Sequence, residues 1–225
     1  MRPHSVHAVI AVKNLDLAKS RLADRLRPEH RARLVLAMLA DTVTAAAATP
    51  GIGSVTVVTP DAAVAALTRS LGAFAHPEPG TAGDLNSALA DAAAALRRRH
   101  GPIELLALQA DLPALLPAEL DDLLARAPAG KRSVVVDHAG TGTAALFVGD
   151  GTLPLDPRFG PGSARAHRAA GAVDLDGDWP GLRLDVDTPD DLEAAITLGV
   201  GPATRALLPE IGWSTGVHEA VRRVC

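Results

Sequence analysis

Short apolar runs alternate with amphipathic stretches along this chain. The run VHAVIAV at 6–12 is β-branched and almost wholly apolar, as suits a strand buried on both faces of a parallel sheet. A basic stretch with Lys13, Lys19 and Arg21 follows. Pro28 then stands at a first helical position, ahead of an apolar stripe of Val35, Met38, Leu39 and Val43. The succession returns as a strand at 54–59, a helix at 60–70, a short strand at 73–75 and a loop, HPEPGTAG. From Asp84 to Arg99, Leu85, Ala88, Leu89, Ala92, Ala93 and Leu96 recur at helical spacing. A central strand IELLALQ at 103–109, a helix near 117–126, and strands RSVVVD at 132–137 and TAALFV at 143–148 come next. A short helix at 163–170, a strand near 172–175, a strand LRLDV at 182–186 and a helix from about 188 to 198 complete the body. This alternation predicts an α/β architecture with βαβ crossovers. No repeat or low-complexity linker divides it, so residues 1–204 are expected to form one domain, with 205–225 a C-terminal tail or packing extension.

Composition narrows the functions available. With 225 residues, 48% hydrophobic, the chain has ample material for a core. A net charge of −4 and only 2% aromatic residues remove both the basic field and the stacking platforms that nucleic acid requires. The RRRH run at 97–100 is read as basic charge on a negative helix terminus. One cysteine, Cys225, excludes an intrachain disulfide, and the N-terminal apolar run is too short to span a bilayer and lacks signal-peptide character. A soluble cytoplasmic protein that partners neither nucleic acid nor membrane is expected.

In open α/β sheets ligands collect at the carboxyl ends of strands, and three acidic or basic clusters fall there. Asp111, in QADLP after the central strand, is held in a loop by Pro113 as a metal ligand or phosphate-site acid, or else makes an Asx turn. In LRLDVDTPDDL, Thr188, Pro189, Asp190 and Asp191 have the form of an N-cap, a first-turn proline and two dipole-facing acids. Asp185 and Asp187 precede that cap; at i, i+2 in a strand they share a face and offer two hard oxygen donors suited to Mg²⁺. Lys13 and Lys19 are either solvated loop charges or neutralise a polyphosphate. The glycine-bearing GTGTAAL at 140–146 and RFGPGSARAH at 158–167 are tight turns, or else hold a small phosphate with Thr143, Ser163 and a helix start. Arg165 and His167 are read as surface helix residues. Neither a P-loop nor a dinucleotide fingerprint follows the first strand.

In content and order, AVKNLDLAKSRL (11–22), DLNSAL (84–89), LQADLPAL (108–115), GTGTAAL (140–146), FGPGSARAH (159–167) and LDVDTPDDL (184–192) resemble one family. It is the 2-phospho-L-lactate and phosphoenolpyruvate guanylyltransferase family of coenzyme F-420 biosynthesis, and the resemblance reaches to about Thr204. It implies a single-domain nucleotidyltransferase fold of the GT-A-like, molybdopterin guanylyltransferase-like kind, a three-layer sandwich on a mixed, mostly parallel sheet. It implies condensation of GTP with phosphoenolpyruvate or 2-phospho-L-lactate to a guanosine diphosphate ester plus pyrophosphate, and functional coupling to the next enzyme of the pathway. By matching motif, Thr143, Gly160 and Ser163 would bind the acid. Asp111, Asp185 and Asp187 would hold Mg²⁺, and Lys13, Lys19 and Asn86 would lie near the triphosphate and base. The chain departs from related nucleotidyltransferases in lacking a glycine-rich loop after the first strand, which puts more of the nucleotide grip on lysines. Rival readings are another nucleotidyltransferase, of molybdopterin or sugar-phosphate type, and a nucleotide-binding regulator without turnover.

Overall fold

The computed structural model describes residues 6–13, 15, 19–78 and 84–213. Much of the stretch between Lys13 and Lys19, part of the HPEPGTAG loop and the residues from 214 on, Cys225 included, lie outside the described residues.

Strand alternation builds the layers. In β1 (Val6–Ala11), Val6, Ala8 and Ile10 enter one apolar cluster while Val9 enters another. In β4 (Glu104–Leu108), Leu106 and Leu108 go with the first and Leu105 and Ala107 with the second, as successive side chains on opposite faces must. β2 (Ile52–Thr59) and β3 (Phe74–Pro77) extend the sheet beyond β1. β6 (Thr143–Val148), β5 (Arg132–Val136) and the two-residue β7 (Val173–Asp174) extend it beyond β4, giving the order β3-β2-β1-β4-β6-β5-β7. β6 runs antiparallel to both neighbours and the other pairings are parallel, so the sheet is mixed and mostly parallel. Because β6 is reversed, its first residue, Thr143, lies at the end of the sheet where β4 finishes: Leu108 pairs with Ala145, and Gln109 N–H donates to Ala144 O.

The first cluster is covered by α1 (Pro28–Ala47), α2 (Ala62–Ser70), α4 (Pro117–Arg126) and α7 (Pro189–Leu198). The second is covered by α3 (Leu85–His100), through Ala88, Leu89, Ala92 and Ala93. Asp84 is the N-cap of α3, accepting from the Asn86 and Ser87 N–H groups. α5 (Ser163–Ala169) lies beside β5.

One segment differs from the sequence expectation. LRLDV does not pair as a strand: its first residues close α6 (Pro180–Arg183), and 184–187 run as unpaired chain. Residues after Gly201 fold into α8 (Pro202–Glu210) against α1. Its cap is remote: the buried Asp41 of α1 accepts from Ala203 N–H and Thr204 N–H, each at 2.9 Å. A Cβ on Gly201 would stand 2.4 Å from that carboxylate, so only glycine fits. No described helix is long and apolar enough to cross a membrane.

Candidate active site

The loop after β4 and the unpaired segment after α6 are tied by one backbone bond, Val186 N–H to Asp111 O at 3.1 Å. Around it the strand-like alternation survives without a strand: Leu184 and Val186 are buried, and Asp185 and Asp187 take the other side. Thr42 fixes the first loop by accepting from Leu112 N–H at 3.1 Å. Glu119 fixes the second, accepting from Leu116 N–H and Gly181 N–H. Thr188 and Asp191 form a reciprocal capping box for α7, and the Asp191 carboxylate also accepts from Asp187 N–H at 3.0 Å. The cap therefore holds the segment of Asp185 and Asp187 as well as the helix, while Asp190 is exposed.

Lys19 enters this acidic corner. Its backbone is left-handed, φ 54 and ψ 46, a conformation costly for a residue with a Cβ. Its ammonium, on a side chain only 10% exposed, bonds Asp111 and lies 2.8 Å from Asp187. Burial alone would lower its pKa, but the two carboxylates outweigh that and raise it well above the ordinary lysine value. Asp185 receives no such counter-charge. Burial first, then the charge of Asp111, push its pKa up to about 6. Its Oδ1 is buried with no hydrogen-bond partner, and His138 Nδ1 stands 3.5 Å away, too far for a good bond. Asp111 Oδ1 is likewise buried and unpartnered. Two oxygens that lack donors and crowd each other favour a cation. Among the described residues no group of three His, Cys, Asp or Glu side chains is placed, as it stands, to hold a metal ion.

Beside the acids opens a cleft of about 540 Å³, whose lining includes Asp185, Asp187, Thr143, Gly160 and Ser163. The structure thus brings those five residues to one cleft. Gly160 (φ 131) and Gly162 (φ 70) occupy backbone conformations that favour glycine. The start of α5 is less open to an anion than its sequence suggests: Ser163 N–H already donates to Gly160 O and Ala164 N–H to Thr141 O.

One placement, that of His167, departs from expectation, and two others add detail to it. Asn86 spends both ends of its amide on Phe159, accepting from its N–H at 2.7 Å and donating to its carbonyl at 3.0 Å, so it fixes the glycine loop. Lys13 is exposed at the end of β1 and acts on Asp84, whose pKa is lowered mainly by Ser87 and in small part by Lys13. His167, read from sequence as a surface residue, is instead 1% exposed; the helical period puts it beneath α5, and Thr143 Oγ1 lies 2.9 Å from its Nδ1. Arg165 is exposed as expected. Sequence reasoning also missed Arg21, which lines the cleft 3.7 Å from Asp187, and His138, 3.1 Å from Asp191. HAG beside the quoted GTGT motif was the available signal.

Residues 6–224 match the family model described as guanylyl transferase CofC like. The chain belongs to that family. A relative from Nocardia farcinica strain IFM 10152, called phosphoenolpyruvate guanylyltransferase, is 70% identical over 100% of both chains. One of the same name from Rhodococcus opacus strain B4 is 53% identical, covering 94% of this chain and 93% of that one. A solved structure from Desulfovibrio desulfuricans G20, provisionally named a nucleotide-diphospho-sugar transferase, superposes with TM-score 0.69 at 17% identity over 91% of this chain and 94% of its own. That likeness concerns the fold, and it fits the nucleotidyltransferase architecture of the CofC-like family.

Proposed function

We propose that this guanylyltransferase joins GTP to phosphoenolpyruvate: a phosphate oxygen of the acid attacks the α-phosphorus of GTP in line. The bond from the α-phosphorus to the bridging oxygen breaks and pyrophosphate leaves. The observation that carries the choice of acid is the full-length 70% identity to a phosphoenolpyruvate guanylyltransferase. 2-Phospho-L-lactate, which differs by reduction of one carbon–carbon double bond, is the second acid to be tested.

The nucleophile arrives already anionic, so no side chain need remove a proton from it. The barrier is repulsion between two polyanions, and the chain's own contribution is to place charge and donors. Lys19, with Lys13 nearer α3, supplies positive charge for the triphosphate. Thr143, Gly160 and Ser163 receive the acid at the far wall of the cleft, and Asn86 holds the loop that carries Gly160. Asp111, Asp185 and Asp187 would hold a divalent cation such as Mg²⁺, which when bound supplies Lewis-acid stabilisation of phosphoryl charge. The unpartnered Asp111 and Asp185 oxygens support that assignment. A cytoplasmic setting and a place beside the next enzyme of coenzyme F-420 biosynthesis accompany this reading.

The test is pyrophosphate release with each nucleoside triphosphate and each acid, with mass spectrometry of the product. Release only with a molybdopterin or sugar phosphate moves the chain to another nucleotidyltransferase reaction, and GTP binding without release for any acid makes it a regulator.

A further inference from the structure

His167 has two ring nitrogens and both are spoken for. Arg158 backbone N–H donates to Nε2 at 2.8 Å. A nitrogen that accepts carries no proton, so in the neutral ring the proton sits on Nδ1. Nδ1 lies 2.9 Å from Thr143 Oγ1 and can only donate to it. The Thr143 hydroxyl therefore accepts from the ring and keeps its own proton for a different acceptor. Thr143 lines the cleft, and an anionic oxygen there completes the chain of donors. Burial, and after it the charge of Arg158, lower the imidazole pKa to about 4, against smaller opposing effects of Asp156 and the Ser163 carbonyl, so the ring is neutral near pH 7.

We propose that His167 is a positioning residue for the phosphorylated acid: by donating from Nδ1 to Thr143 Oγ1 it turns that hydroxyl into a donor aimed at the ligand. The inference rests on the reading that Thr143 faces the acid. It also explains a polar, uncharged pair in a place where the sheet end could carry apolar residues. A purely structural role is the competing account, since the same ring braces the 158–160 loop through Arg158 N–H and packs edge-on to Phe159 with centroids 5.4 Å apart.

Two substitutions separate the accounts. In His167→Asn the amide nitrogen replaces the donor at Nδ1 but nothing reaches Arg158; in His167→Gln the distal amide oxygen replaces the acceptor at Nε2 and the donor to Thr143 is lost. Phosphoenolpyruvate affinity of the full chain is read by titration calorimetry with Mg²⁺ present, alongside KM for each substrate. His167→Asn is expected to stay within about twofold of wild type and His167→Gln to weaken the acid by about tenfold, the scale of one hydrogen bond to a charged group, with KM for GTP unmoved in both. Thr143→Val should weaken the acid similarly, and adding His167→Gln to it should cost nothing further. Equal losses in the Asn and Gln variants, or additive losses on the Thr143→Val background, overturn the proposal. So does ¹⁵N NMR of the wild type placing the proton on Nε2, a reading that needs no variant to fold. Wild-type protein that binds the acid yet releases no pyrophosphate with GTP overturns the proposed reaction while the calorimetric comparison still decides on His167. Binding of neither acid overturns both.

Discussion

Replacing Asp185 with Asn should make the cation-free protein more stable and leave it unable to turn over. The carboxylate is 15% exposed, its Oδ1 has no donor, and its pKa stands at about 6 against an ordinary 3.8. Below pH 3.8 the group is protonated in both states and costs nothing. As pH rises toward 6 the unfolded chain loses the proton first, so stability falls, and above 6 the full penalty is present. At about 1.4 kcal/mol per tenfold difference, the gap from 3.8 to about 6 amounts to about 3 kcal/mol near pH 7.5. Asp111 shares the repulsion, so the shift belongs to the pair, and one replacement should recover only part of it, on the order of 1–2 kcal/mol. For a chain of this size that is a rise in Tm of about 3–6 °C. Thermal unfolding followed by circular dichroism in EDTA at pH 7.5 and pH 4.5 reads it directly, and the gain should shrink to about a third at the lower pH. Added Mg²⁺ should then stabilise the wild type more than the variant. A gain that is the same at both pH values, or a loss of stability at pH 7.5, refutes the electrostatic reasoning; near-normal turnover refutes the ligand assignment.

Lys19→Met strips the counter-charge from Asp111 and Asp187 in a corner where the Asp111 side chain is 16% exposed. It should cost about 3 kcal/mol of stability in urea titration and lower kcat/KM about a hundredfold. Asp41→Ala removes the remote cap of α8 and should cost about 1–2 kcal/mol, with kcat and both KM values little changed because no residue of α8 lines the cleft. His167, whose pKa falls from 6.5 to about 4 on folding, predicts a further acid limb. The unfolded chain takes up the proton first as pH falls, so stability is full above 6.5 and up to about 3 kcal/mol is lost between 6.5 and 4. His167→Gln should flatten that limb in unfolding curves.

The sequence made the layers legible because periodicity reports burial: the helix from Pro28, the helix after Asp84 and the strands of the sheet's centre all stand where their apolar spacing put them. It failed where the decisive neighbour is distant in the chain. LRLDV alternates like a strand, but alternation says only that one side is buried, and here the burying surface is the loop after β4 rather than a strand edge. α8 carries no local cap of its own; its cap is Asp41, some 160 residues earlier. His167 read as polar and exposed because its two partners, Thr143 and the Arg158 amide, meet it only in three dimensions. The acids themselves were legible as candidates, whereas the difference between them was not: Asp185 is crowded and unpaired, Asp187 is half exposed and paired to Lys19, and only the packing separates them.

That difference bears on how substrates enter. Asp111, Asp185 and Asp187 with Lys19 sum to a formal charge of −2, offset in part by the exposed Arg21 beside Asp187, and the remaining negative charge favours a divalent cation. Without a cation the corner repels a triphosphate, since Lys19 is already engaged by two carboxylates and offers little free charge. Neutralising the acids from outside would release the ammonium toward an incoming phosphate, so the same ion pair that steadies Lys19 without a cation also withholds it until the carboxylates have another partner. The acid side has no such lock: His167 holds Thr143, Asn86 holds Phe159 beside Gly160, and Ser163 N–H donates to Gly160 O, all through neutral hydrogen bonds. On the proposed reading, then, nucleotide binding should depend steeply on divalent cation and acid binding much less so, because only one wall of the cleft is built from charges that need each other.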